Sequence, residues 1–89
     1  MPIVSMGGAP TLLTASGAVS LVPGTLVGMY VASTTSGTVV IRDGNSGGTA
    51  ITGTITPAVG WHPLNMQCST ACYATLANTI SVTFVFQPG

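Results

Sequence analysis

Few side chains in this sequence can make or break bonds: one acid, Asp43, one histidine, His62, two cysteines, Cys68 and Cys72, and many Ser and Thr hydroxyls. A Ser oxygen, a His base and an Asp orienter are the parts of a nucleophilic triad. No Gly-x-Ser-x-Gly elbow is expected to present such a serine. It places Asp43 in the turn DGNSGG, where an Asp side chain bonds the backbone N–H groups of its own loop. His62 stands between Trp61 and Pro63, a setting in which an imidazole satisfies a loop carbonyl. Glycoside hydrolysis by paired carboxylates is excluded, because it needs two acids and the chain has one. No catalytic residue is expected, and the chain reads as a non-enzyme.

Cys68 and Cys72 are four positions apart, a spacing open to a bridge across a turn or to a zinc site shared with His62. Structural zinc takes four protein ligands, and a cytoplasmic compartment keeps thiols reduced. The expected role is therefore that of small apolar fillers in the core. DGNSGG is too poor in carboxylates for calcium, which draws on several. No metal or cofactor is expected. Trp61, Tyr30 and Tyr73 could stack on a sugar, although burial in a core or interface is the expected use of so few aromatics.

The elements that must position these residues are all β. Gly (12) and Pro (6) are scattered along the 89 residues, as punctuation between short strands. Val, Ile and Thr fill the segments between, and their branched side chains suit a pleated surface. Ile80, Val82, Phe84 and Phe86 alternate with Ser81, Thr83, Val85 and Gln87, the period of two that marks one buried face. Further strands are expected over 72–77, 61–67, 50–55, 38–42, 26–32, 18–21 and weakly 11–14, with Ser33 to Gly37 as a turn and Pro63 marking an edge or bulge. Seven or eight short strands predict a single small antiparallel β-sandwich or jelly roll over residues 11–89. Residues 1–10, with Pro2, Gly7, Gly8 and Pro10 around Ile3, Val4 and Met6, read as an extended arm.

Only 2% of residues are charged, Arg42 and Asp43 being the formal charges, against about 25% in an ordinary soluble domain. A molecule without a charged shell tends to associate. A domain of this size also buries only about 60–65% of its unfolded surface. Basic patches are absent, which removes the phosphate-neutralising term behind nucleic-acid affinity. The longest apolar run, Leu26 to Ala32, falls short of the 18 to 20 residues of a membrane-spanning helix. The opening MPIVSMGGAP has no basic region before an apolar run, so synthesis in the cytoplasm is expected.

Residues 24–89 resemble small virion proteins of tailed bacteriophages. The matching segments are "SGTVVIRDG" at Ser36 to Gly44, the Gly/Ser loop at Asn45 to Gly48, "GWHPL" at Gly60 to Leu64 and "VTFVF" at Val82 to Phe86. The resemblance implies a β-sandwich module, commonly trimeric, that decorates or cements the capsid or forms a head or tail appendage. The expectation is thus a virion structural protein with itself and the major capsid protein or another virion protein as partners. A tail, fibre or head-to-tail component is the alternative within the class. An ice- or surface-binding β-protein is the alternative outside it, on the strength of Thr52, Thr54 and Thr56. The expected assembly interface comprises Pro2, Ile3, Val4 and Met6 of the arm together with Arg42, Asp43, Trp61 and His62. Arg42 beside Asp43 is the one ion pair the composition allows, and in such a contact it would fix register.

Overall fold

The structure, a computed structural model, describes residues 9–88. Six strands form one antiparallel sheet: β1 (Ala9–Leu13), β2 (Gly17–Ser20), β3 (Gly24–Asp43), β4 (Thr49–Ala50), β5 (Gly60–Cys68) and β6 (Cys72–Pro88). No helix occurs among the described residues. The all-β expectation holds, and the strand count differs for an identifiable reason. Two pairs of expected short strands are each one long strand, so β3 runs for 20 residues and β6 for 17.

The join in β3 is the segment Ser33 to Gly37, expected as a turn and found inside the strand. There the β3–β6 ladder slips, Thr35 facing Thr79 but Thr38 facing Ala77, so two residues of β3 oppose one of β6. Such a bulge bends a strand without ending it. Ser36 and Asn78 take left-handed backbone angles (φ 55° and 62°) at this point. The Asn78 side-chain amide donates to the Ser36 carbonyl at 2.7 Å, and the Gly37 N–H donates to Thr34 Oγ1 at 3.0 Å. Local polar groups thus satisfy the backbone that the bulge unpairs.

β3 and β6 pair along their whole lengths, Gly24 facing Pro88 at one end and Asp43 facing Cys72 at the other. On the half nearer Gly24, β1 flanks β6 and β5 flanks β3. On the other half, β2 flanks β6 and β4 flanks β3. Cys68, the last residue of β5, lies opposite Gly24, whereas Cys72, the first of β6, lies opposite Asp43. A straight 20-residue strand would set its ends roughly 60 Å apart, yet the three-residue turn from Ser69 to Ala71 links the two ends. The sheet is therefore doubled over at the bulge. Residues of both halves enter one buried cluster: Leu26, Met29, Val31, Val82, Phe84 and Phe86 from one, Val19, Val39, Ile41, Cys72 and Ala74 from the other. Between β1 and β2, where the edge of β6 away from β3 has no partner strand, Ser16 Oγ accepts from the Leu76 N–H at 2.8 Å and donates to its carbonyl at 3.1 Å.

Two further expectations change. The strand over 50–55 is reduced to Thr49–Ala50 and an isolated bridge between Val39 and Ile55. Thr52 Oγ1 takes the Ile41 N–H at 3.1 Å, where a strand would offer a ladder carbonyl. Thr52, Thr54 and Thr56 consequently do not project from a strand, which removes the regular row that suggested an ice-binding face. Ala9 and Pro10, assigned to the arm, belong to β1. Pro2, Ile3, Val4 and Met6 lie outside the described residues. Pro63 sits on β5, which pairs with β3 alone and carries a register shift beside it, as a residue without an N–H requires.

Candidate functional site

Both formal charges are hydrogen-bonded within the chain while staying partly exposed. Adjacent residues on a strand project to opposite faces, and Arg42 and Asp43 engage different partners. Arg42 Nε donates to Thr75 Oγ1 at 3.0 Å and Nη1 donates to the Gly48 carbonyl at 3.2 Å, tying the β3–β4 loop to β6. The Asp43 carboxylate accepts the N–H groups of Ser69 at 3.0 Å, Thr70 at 2.9 Å and Ala71 at 3.4 Å. It caps the turn that closes the doubled sheet, and not its own loop. The role expected of Asp43 within DGNSGG falls to Asn45, whose Oδ1 accepts the Gly47 N–H at 2.9 Å.

The backbone N–H of Thr70, then that of Ser69, holds the Asp43 carboxyl below its ordinary range, against an opposing desolvation. A carboxylate whose folded pKa is depressed contributes stability that is complete above its unfolded pKa of about 4 and is lost as pH falls through the folded value. Asp43 is the one acidic side chain. The difference in urea midpoint between the parent and Asp43→Asn is therefore expected to hold steady from pH 7 to 5 and to shrink below about pH 4. A difference unchanged down to pH 2 would contradict the cap.

Among the described residues, Asp43 and His62 do not come together with a serine as a triad. Gly44, Asn45, Ser46, Gly47 and Gly48 do spell the Gly-x-Ser-x-Gly pattern, contrary to the expectation from sequence, but they form the β3–β4 hairpin loop, with no helix after it. An elbow needs a strand-to-helix turn. His62 is committed elsewhere, its Nε2–H donating to the Ala58 carbonyl at 2.7 Å, as its setting suggested. Cys68 and Cys72 are both fully buried free thiols within the core cluster. Burial pushes both thiols up, Cys72 the more strongly, so neither is a thiolate near neutral pH. Iodoacetamide is expected to leave both unmodified in the folded protein and to label both in denaturant. Replacing both by Ala is expected to leave the fold intact with a modest loss of stability. Labelling at the native rate of a small exposed thiol would overturn this assignment.

The exposed chemistry lies on the outward face of the half built by β1, β6, β3 and β5. Leu12 faces Thr83, Thr83 faces Tyr30, and Tyr30 faces Trp61, a row across four strands. Leu12 is 61% exposed, Tyr30 48% and Trp61 49%. The next row on this face is Pro10, Val85, Gly28 and Pro63. Beyond a bulge, Gln87, Thr25 and Gln67 make a polar third row, alternating with buried Phe86, Leu26 and Cys68. Carbons ζ2 and η2 of Trp61 occupy the space that a Cβ at Gly28 would need, each 2.6 Å from it. The benzo ring thus leans from its own row over the second one, seated on bare backbone.

Of the eight residues expected at an interface, the four of the arm lie outside the described residues, Arg42, Asp43 and His62 direct their polar atoms within the chain, and Trp61 presents its ring outward. In sequence, Trp61 and Tyr30 stand out only as two of the chain's five aromatic residues. Leu12, Gly28, Thr25, Gln67 and Gln87 were missed, because cross-strand register alone brings them onto one face. Comparison with protein-family models, with characterised proteins and with solved structures finds no match to this chain.

Proposed function

We propose that this protein is a bacteriophage virion subunit that oligomerises, as a trimer, and stabilises or decorates the capsid by covering surface. The doubled sheet serves as its β-sandwich module. The observation that carries this reading is the near absence of charge, two formal charges in 89 residues, both of them hydrogen-bonded within the chain, which leaves little to hold water or repel a copy. Apolar side chains stand at its loops instead: Leu21 is 84% exposed, Val59 58%, Val22 48% and Ile51 37%. Removing such groups from water contributes about 25 cal/mol per Å². The outer edges of β1, β2, β4 and β5 have no partner strand among the described residues and offer backbone hydrogen bonds to a neighbour.

Sedimentation of the purified chain at micromolar concentration is expected to give a closed oligomer of fixed stoichiometry. Purified particles are expected to contain the protein in fixed copy number. A monodisperse monomer that is absent from particles would sink the reading.

A further inference from the structure

The face carrying Tyr30 and Trp61 differs in kind from the apolar loops. Its aromatic pair is placed by register, the Thr83 hydroxyl stands beside Tyr30 in the same row, and Thr25, Gln67 and Gln87 lie beyond the Pro10, Val85, Gly28 and Pro63 row. We propose that it is a binding platform for a neutral polysaccharide of β-linked hexopyranose units. Sugar rings stack on Trp61 and Tyr30, and Thr25, Gln67 and Gln87 hydrogen-bond the hydroxyls.

Three observations select this occupant. The first is ring placement. Tyr30 and Trp61 are direct cross-strand partners, which sets the two aromatic side chains side by side on one face. Gly28 lets the Trp61 benzo ring rest on the sheet, which fixes the ring while half of the side chain stays exposed. The negative face of an aromatic ring attracts weakly positive hydrogens. A β-linked pyranose with equatorial hydroxyls offers such hydrogens as axial C–H groups and keeps its hydroxyls at the rim, where Thr83 stands beside Tyr30, and a chain of two or three units extends to Gln67, Thr25 and Gln87 two rows on.

The second is charge. Exposed aromatics also serve single-stranded nucleic acids, but those sites add a cationic groove for the phosphates. The three rows contain no charged residue, and the chain's single cation is engaged with Thr75 and Gly48. An uncharged ring ligand fits and a polyanion does not.

The third is size. Four strands span roughly 14 Å and three rows a similar length, a footprint of roughly 200 Å². A stable contact between protein copies needs about 800 Å² on each side. The face is too small to hold a second copy by itself and matches two or three sugar units. No pocket occurs among the described residues, so the ligand shape is a ribbon laid on a surface.

Trp61 is the single tryptophan, and its emission reports on this platform alone. Titrating the full chain with cellohexaose is expected to change that emission saturably, and Tyr30→Ala is expected to weaken the response at least tenfold. In affinity electrophoresis through hydroxyethylcellulose, Trp61→Ala is expected to lose its retardation while Leu21→Ala keeps it, both folded by circular dichroism. The proposal is overturned by a flat titration, by retardation that survives Trp61→Ala, by an equal response to polyuridylate, or by an emission change that follows protein concentration without sugar. Sedimentation run in parallel separates the two readings. An oligomer with a silent platform removes the sugar and leaves the structural role, and a sugar-binding monomer does the reverse.

Discussion

Replacing Phe84 with Ala is expected to lower the unfolding free energy by about 3–5 kcal/mol. Phe84 is fully buried, faces Thr11 on β1 and Met29 on β3, and belongs to the cluster filled from both halves of the sheet. Truncation removes the transfer free energy of the ring and leaves a cavity. Strands cannot collapse into that cavity without breaking the β1–β6–β3 ladder. A domain of this size has about 5–15 kcal/mol in all, so the loss is a large share of it. Each kcal/mol corresponds to roughly 4–8 °C in Tm for a chain of this length. Thermal unfolding followed by circular dichroism is therefore expected to move down by about 12 °C or more. An unchanged midpoint would mean that the β6 register places Phe84 outside the core.

The second large effect is expected at the bulge. Gly37→Ala adds one methyl group to a strand, a change that intrinsic preference favours. At Gly37 that methyl would stand 2.5 Å from Ile80 Cβ, 2.7 Å from Thr34 Oγ1 and 3.0 Å from the Thr79 carbonyl oxygen. Ile80 is itself buried in the core and cannot retreat. The clash is expected to cost about 1–3 kcal/mol and to open the bend that brings the two halves together. Gly53→Ala is the matched comparison, because nothing lies within 4 Å of a Cβ there. Restricting the unfolded chain at such a site is neutral or stabilising, by up to about 1 kcal/mol. Urea unfolding of the two variants in parallel reads the difference. Equal midpoints would show that the bend tolerates a side chain and that Gly37 is not its cause.

Much of this molecule was legible along the chain. The Ile80 to Phe86 alternation places the buried face of β6 because a pleated strand sends successive side chains to opposite sides, and Val82, Phe84 and Phe86 are buried as that period requires. The near absence of charge, the edge position of Pro63 and the buried thiols follow from residue type in the same way. What composition and period left open is where a strand stops. Ser33 to Gly37 carries turn residues, yet the chain continues, because a bulge opposite Asn78 absorbs the extra residue and the neighbouring ladder on β6 keeps its hydrogen bonds. The partner of Asp43 was likewise out of reach. Three N–H groups 26 to 28 residues away exist as a cap only once the doubled sheet brings the β5–β6 turn to the end of β3. The platform of Leu12, Tyr30 and Trp61 has the same origin. Each is an unremarkable exposed residue on its own strand, and only the pairing of β1 with β6, β6 with β3 and β3 with β5 sets them in one row. Local chemistry determined which side of each strand faces water, because that choice depends on the residue and its two neighbours. Long-range backbone pairing decided which exposed residues meet, because register is a property of two segments and is written in neither alone.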